Sequence, residues 1–127
     1  MTAVLLDTHA WAWTLGDDPR LSAAAVAAIR AADTVLVSPV SFFEIAQEVR
    51  LGKWPEMEPH VRRLPALLRE QGGSVAGLDP AHCVAAGMMP WAHRDPFDRL
   101  LAATAISLGL PLVSADMVFD GIVTRVW

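Results

Sequence analysis

Five carboxylates stand where a short apolar segment has just ended or where a helix is about to begin. Asp7 follows Val4-Leu5-Leu6, Glu44 follows Ser41-Phe42-Phe43, Asp95 and Asp98 bracket Pro96-Phe97, and Asp116 follows Leu112-Val113-Ser114-Ala115. Gathered into one pocket, such side chains have a distinctive chemistry. Two like charges about 4 Å apart repel by roughly 4 kcal/mol at an effective dielectric near 20. Four of them together require a cation or strongly raised pKa values. Cys83 is the single cysteine, and His9, His60, His82 and His93 lack ligand spacing, so the donors on offer are oxygens. Oxygen donors select Mg²⁺ or Mn²⁺ rather than zinc. Each acid also has an ordinary explanation. Ser41-Phe42-Phe43-Glu44 reads as a capping box, in which Glu44 only satisfies a backbone N–H. Asp95 reads as an N-cap and Asp98 as a residue favoured by the helix dipole. Asp7 and Asp116 read as polar residues at strand ends.

Whether the five share a pocket depends on the elements that hold them. Val4-Leu5-Leu6 reads as a buried strand, and residues 21–32 as a helix capped by Ser22. Thr34-Val35-Leu36-Val37 is β-branched and strand-like, and residues 41–51 form a helix stopped by Gly52. Residues 64–71 read as helical with Pro65 in the first turn, Ser74-Val75-Ala76 as a short strand, and Asp79-Pro80 as the start of another helix. From Pro96, the residues Phe97, Leu100, Leu101, Thr104, Ala105 and Leu108 recur on one helical face, which Gly109 ends. Residues 110–114 and 122–127 read as the last strands; 11–19 and 54–60 read as loops. Strands alternating with helices predict an α/β domain with a mainly parallel sheet. In such sheets ligands bind at the carboxyl ends of the strands. The strand ends carrying Asp7 and Asp116 share that edge with the helix starts carrying Glu44, Asp95 and Asp98.

The 127 residues predict a single domain, 1–127. With 54% apolar and 19% charged residues the chain is not a disordered one. One cysteine excludes a disulfide framework. No apolar run reaches the roughly 18 residues of a membrane span, and Met1-Thr2-Ala3-Val4 lacks the basic start of a signal peptide; a soluble cytoplasmic protein with no membrane partner is expected. The net charge of −4 argues, taken alone, against a nucleic-acid binder. Lys53 is the only lysine among ten basic residues; arginine forks suit phosphates, although coding bias gives the same ratio.

Val4-Leu5-Leu6-Asp7-Thr8-His9, Ser41-Phe42-Phe43-Glu44-Ile45-Ala46, His93-Arg94-Asp95-Pro96-Phe97-Asp98-Arg99-Leu100-Leu101 and Leu112-Val113-Ser114-Ala115-Asp116 resemble, in order and spacing, the blocks of the PIN domain. In particular they look like the VapC toxins of bacterial toxin–antitoxin pairs. The likeness covers residues 4–127, and the His93–Arg99 block is its most specific part. It implies a three-layer fold with a central parallel sheet of about five strands flanked by helices, and a homodimer. It also implies a Mg²⁺- or Mn²⁺-dependent endoribonuclease that cleaves RNA phosphodiester bonds by a metal-activated water and is held in check by a cognate VapB-like antitoxin. The family's acidic quartet carries over to Asp7, Glu44, Asp98 and Asp116. Asp95 becomes an accessory acid, with Ser41 and Ser114 beside the site; Ser114 stands where many members have Thr. Arg50, Lys53, Arg94 and Arg99 are the candidate phosphate contacts, Arg94 and Arg99 alternatively being ion-pair partners of the acids.

Other classes stay open at this level: a non-catalytic protein-binding PIN module, or a metal-dependent nuclease acting on DNA. A receiver domain is disfavoured because Lys53 is mid-chain, and an Asp-x-Asp phosphatase because Asp7 is followed by Thr8-His9. Most histidines read as surface residues, His93 being the one that could line the cleft. Cys83 reads as a small core residue. Met88-Met89-Pro90-Trp91 and the Trp11/Trp13 pair read as core or subunit contacts.

Overall fold

The computed structural model describes residues 2–127; Met1, part of the expected domain, lies outside them. The strands are β1 Ala3–Leu6, β2 Thr34–Val37, β3 Ser74–Val75, β4 Leu112–Val113 and β5 Arg125–Val126. They form one sheet of order β3-β2-β1-β4-β5, every pairing parallel. Six helices flank it: α1 Thr8–Thr14, α2 Ala23–Ala31, α3 Pro39–Arg50, α4 Leu64–Glu70, α5 Pro80–Met88 and α6 Pro96–Leu108.

Side chains alternate across a strand, so β1 feeds two cores. Val4 and Leu6 pack with Trp11 of α1, Ala25 of α2, Ile45 of α3 and Leu64 and Leu68 of α4. Leu5, on the other face, packs with Leu101, Ala102 and Ala105 of α6, Leu112 and Phe119. The result is the expected three-layer α/β arrangement. The chain moves outward in both directions from β1, placing the topological switch between β1 and β4, where open parallel sheets bind ligands. Leu6 is level with Val113, and the Asp7 N–H extends the ladder one step by donating to the Val113 carbonyl at 3.0 Å. Asp7 therefore leaves the sheet at the switch point.

Several elements depart from the sequence reading. Residues 11–19 are not all loop: α1 begins directly after β1, and Asp7 is both the residue that ends the strand and the N-cap of the helix, accepting from Ala10 N–H. A helix of seven residues with Ala10, Trp11 and Ala12 all buried shows no amphipathic stripe. The third helix starts not at Ser41 but at Pro39, with Ser38 as N-cap and proline in the position where its missing N–H costs nothing. The expected capping box is thus absent, and Ser41 lies inside α3. Residues 54–60, expected as loop, belong largely to a 3₁₀ helix, Pro55–Arg63; Pro55 and Pro59 remove donors that a regular α-helix would use.

The final strands pair over only two residues each, shorter than their apolar runs. On α6, Leu101, Thr104 and Ala105 of the expected stripe are buried, together with Ala102 and Ala103 off it, Phe97 and Leu100 are partly buried, and Leu108 emerges into solvent in the last turn before Gly109, which takes the left-handed φ of 65°. Cys83 is exposed, not core, on the outer side of α5. Met88 is also exposed, at 78%, whereas Trp11 is fully buried as expected.

Candidate active site

All five acids line one cavity of about 310 Å³, together with Thr8, His9, Trp13, Leu101 and Ala115. Two larger cavities, of about 530 Å³, lie elsewhere, and the one walled by residues of the 105–124 region, Gly109, Pro111 and Gly121 among them, contains no ionisable side chain. The acidic cavity is the one that brings the five carboxylates together.

Asp7 is buried, with 9% exposure. Burial pushes its carboxyl above the ordinary aspartate value; the neighbouring Ser114 hydroxyl and the Ala10 N–H pull the other way, and Asp116 adds a repulsive push. Glu44 sits in the second turn of α3 and faces the cavity. Its carboxyl is also raised, first by burial, then against the Thr8 hydroxyl and His9, with Asp98 and Asp95 pushing upward. Asp98, in the first turn of α6, is raised by burial despite a 2.6 Å hydrogen bond with His93 Nε2, and Asp95 and Asp116 repel it. Burial comes first for all three, and each is close enough to another carboxylate to feel its charge.

Asp116 is exposed and caps a single 3₁₀ turn, Met117–Phe119, accepting from Val118 N–H at 3.0 Å. Asp95 caps α6 as expected, accepting from the Phe97 and Asp98 N–H groups. Local capping thus holds Asp7, Asp95 and Asp116 in place without removing them from the cavity wall, since one oxygen of a carboxylate can cap while the other faces outward.

The hydroxyl-bearing neighbours have defined tasks. Ser41 and Thr8, both fully buried, hydrogen-bond at 2.9 Å and tie α3 to α1. Ser114 accepts from the Asp116 N–H at 3.0 Å and lies beside Asp7. Phe43 and Phe97 stack obliquely at 5.8 Å, drawing the Glu44 turn of α3 toward the Asp98 turn of α6.

The basic candidates divide. Arg99 contacts neither substrate space nor an acid. Its Nε donates to the Ala86 carbonyl, Nη1 to Trp91 and His93, and Nη2 to Gly87 and Met89, at 2.6–3.3 Å. All five guanidinium donors are spent on backbone, which explains why it is neither a phosphate clamp nor an ion-pair partner. Arg50 lines a different cavity with Glu58 and Arg62. Arg94 is exposed and does not line the acidic cavity. Lys53 alone of the four lies close by, in an adjoining cavity of about 410 Å³ that shares His9, Trp13 and Glu44 with the acidic one.

His93, the histidine that could line the cleft, does not line the acidic cavity but bonds to Asp98 at 2.6 Å. Trp13, read from the sequence as a core or subunit contact rather than a base-stacking platform, and His9, read as one of mostly surface histidines, line these cavities with Arg20 and Trp54, which the sequence does not mark. The one signal is aromatic clustering around Asp7 and Lys53, which spacing alone does not resolve into a site.

The donor set fits a hard divalent cation. It is all oxygen, it surrounds a cavity with room for water, and three of its carboxylates are held in a repulsive, desolvated state that positive charge relieves. Among the described residues no three Asp, Glu, His or Cys side chains close on a single point. The acids frame the cavity without closing on one point.

A family model described as PIN domain matches residues 4–123. The chain is 38% identical over 123 residues to Ribonuclease VapC22 of Mycobacterium tuberculosis, covering 91% of this chain and 88% of that protein. Among solved structures, VapBC2 from Rickettsia felis, bound to a DNA fragment from their promoter, is similar with a TM-score of 0.70 at 14% identity, covering 98% of this chain and 97% of that one. A toxin–antitoxin complex from Klebsiella pneumoniae is similar with a TM-score of 0.69 at 16% identity, covering 98% and 96%. At those identities the structural likeness establishes the fold. No helix among the described residues is long and apolar enough to cross a membrane.

Proposed function

From the premise that this chain belongs to the PIN domain family, we propose that it is a divalent-metal-dependent endoribonuclease of the VapC kind, a toxin inhibited by a cognate VapB-like antitoxin. The observation that carries this reading is the convergence of Asp7, Glu44, Asp98 and Asp116, from four separate segments, on one cavity at the sheet's switch point.

In this reading the four acids hold Mg²⁺ or Mn²⁺. When bound, such an ion offsets charge on the phosphate and makes a water more acidic. The protein's own groups do the rest. Asp7 and Asp116, fixed by their caps, form one wall of the cavity. His93 fixes the orientation of Asp98. Orienting the attacking water or taking its proton falls to Glu44 or Asp116. The negative field of the empty cavity repels RNA, and bound cations invert it, which reconciles the substrate with a net charge of −4.

Residues 1–127 act in this proposal as a single domain in the cytoplasm and as a homodimer. Exposed Val84, Met88, Ile106 and Met117 supply apolar surface for the second copy or for the antitoxin. The test is cleavage of RNA in Mg²⁺ or Mn²⁺ by the parent and by Asp7→Asn. Cleavage by the parent, abolished by EDTA and reduced about 100-fold or more in the variant, is expected. Equal cleavage by the two removes the proposal.

A further inference from the structure

We propose that the cavity adjoining the acidic site is a subsite for an unpaired RNA base next to the scissile phosphate, with Trp54, His9 and Trp13 as its aromatic walls and Lys53 and Arg20 as its cations. This rests on the nuclease reading and extends it to how substrate is held.

The cavity, of about 410 Å³, is lined by His9, Trp13, Arg20, Glu44, Glu48, Lys53, Trp54 and Glu56. It is continuous with the acidic site through His9, Trp13 and Glu44. A nucleotide neighbouring one bound at the carboxylates therefore enters it. Its rings are already arranged for stacking. His9 lies on Trp54 with centroids 4.5 Å apart and planes at 22°, and meets Trp13 edge-on at 5.8 Å. His9 is exposed, so the stack is open to a further flat ring. Two cations, Arg20 and Lys53, line this cavity beside the rings, together with the carboxylates of Glu44, Glu48 and Glu56. The Arg20 guanidinium, paired with Asp18 at 2.7 Å, is 5.0 Å from the Trp13 ring centroid, and among the described residues Lys53 has no ion-pair partner.

Trp13 Nε1–H is the one buried side-chain polar atom left without a hydrogen bond among the described residues. A buried indole N–H normally finds an acceptor.

Aromatic faces beside cations are the composition of single-strand nucleic-acid sites, where bases stack and lysine or arginine meets the backbone. A paired base has both faces covered by its neighbours, so this cavity selects unpaired RNA. Protein segments are the competing occupant. The flat, nearly parallel rings and the continuity with the carboxylates favour the nucleotide.

The test is fluorescence anisotropy in Mg²⁺ on an Asp98→Asn background, where bound cation offsets the charge of the acidic cavity and turnover is slowed about 100-fold or more. The probes are a short fluorescein-labelled single-stranded RNA and the same strand made abasic at successive positions. Trp54→Ala is expected to weaken binding by roughly 5- to 100-fold, the range of one lost base stack, and to be indifferent to which strand is used once the matching base is gone. Trp54→Phe restores most of the loss. Lys53→Ala, at an exposed position that leaves the fold intact, lowers the salt dependence by about one ion. In cleavage with Mg²⁺, Trp54→Ala raises KM more than it lowers kcat.

If Trp54→Ala and Lys53→Ala both bind the intact strand as the parent does while the parent cleaves RNA, the subsite is wrong and the nuclease reading stands. If the parent binds RNA through Trp54 but never cleaves it, the subsite stands and the nuclease reading falls. If Trp54→Ala spares RNA binding but releases the enzyme from its co-expressed antitoxin, the cavity belongs to a protein segment and the proposal is overturned.

Discussion

The Thr8 and Ser41 hydroxyls, 33 residues apart in sequence, meet at 2.9 Å in the interior. Thr8 follows Asp7 at the start of α1, and Ser41 precedes Glu44 by one turn of α3. One buried hydrogen bond thus sets the separation of two carboxylates carried by different helices. The same segment that reads as a capping box in the sequence is, in the fold, a helix-to-helix tie.

Replacing Ser41 with Ala leaves the Thr8 hydroxyl buried and without that partner. A stability loss of about 1–3 kcal/mol is expected from urea unfolding, with an unchanged m-value. The double variant Thr8→Val, Ser41→Ala removes both groups and is expected to recover part of that loss. A double variant as unstable as the sum of the two single ones would mean that the hydroxyls do not act as a pair.

Arg99 joins α6 to the end of α5 and to the 89–93 segment through five carbonyls. Arg99→Lys keeps the charge but cannot span that fork. At about 1.5–3 kcal/mol for each hydrogen bond to a charged group, even partial loss is expected to lower stability by about 3 kcal/mol or more, read as a fall in Tm. Because His93 is one of the tethered residues, the His93–Asp98 contact is expected to loosen as well, with a lower kcat in variants that still fold. An unchanged Tm would contradict the role given to Arg99.

Asp7, Glu44 and Asp98 titrate above their ordinary values in the folded protein. The folded state therefore keeps these protons longer than the unfolded one as pH rises, so it binds more protons in that window and stability falls with rising pH. The penalty starts above the unfolded carboxylate values and is complete once the folded groups have ionised. A divalent cation competes with the protons and offsets the penalty. Mn²⁺ is thus expected to raise Tm at neutral pH and progressively less in acid, and Asp7→Asn is expected to raise Tm in EDTA while blunting the Mn²⁺ effect. A Mn²⁺ shift that grows toward low pH would be inconsistent with binding by these acids.

Asp7, Asp98 and Asp116 were legible in the sequence because each marks a boundary that local chemistry enforces, whereas Glu44, read as part of a capping box, lies inside α3. Asp98 is placed by the Pro96 start and the apolar stripe running to Gly109, and Asp116 by the end of the short apolar run Leu112-Val113. Helix α1 was not legible, since Asp7 ends a strand and caps a helix at once and leaves no spacer between them. Ser38-Pro39 was a regular helix start overshadowed by the Ser41–Glu44 pattern. The fate of Arg99 depends on carbonyls from residues 86–93 that converge only in three dimensions, and the aromatic wall depends on a 3₁₀ turn that two prolines impose. Spacing reports which face a residue takes, whereas these features depend on which backbone happens to lie opposite.

Asp95 and Asp98 both line the cavity, three residues apart, yet the structure gives them different duties. Asp95 spends one oxygen on two backbone N–H groups at the start of α6. Asp98 is half-buried, raised by that burial, and held by His93. Asparagine caps helices about as well as aspartate, so Asp95→Asn is expected to retain stability within a few tenths of a kcal/mol and cleavage within about tenfold. Asp98→Asn keeps the size of the side chain but removes the charge from the cavity, and is expected to lose about 100-fold or more in kcat while remaining folded. Measuring RNA cleavage and Tm for the two variants side by side separates the cap from the ligand. The opposite ranking would move the third acid of the quartet from Asp98 to Asp95.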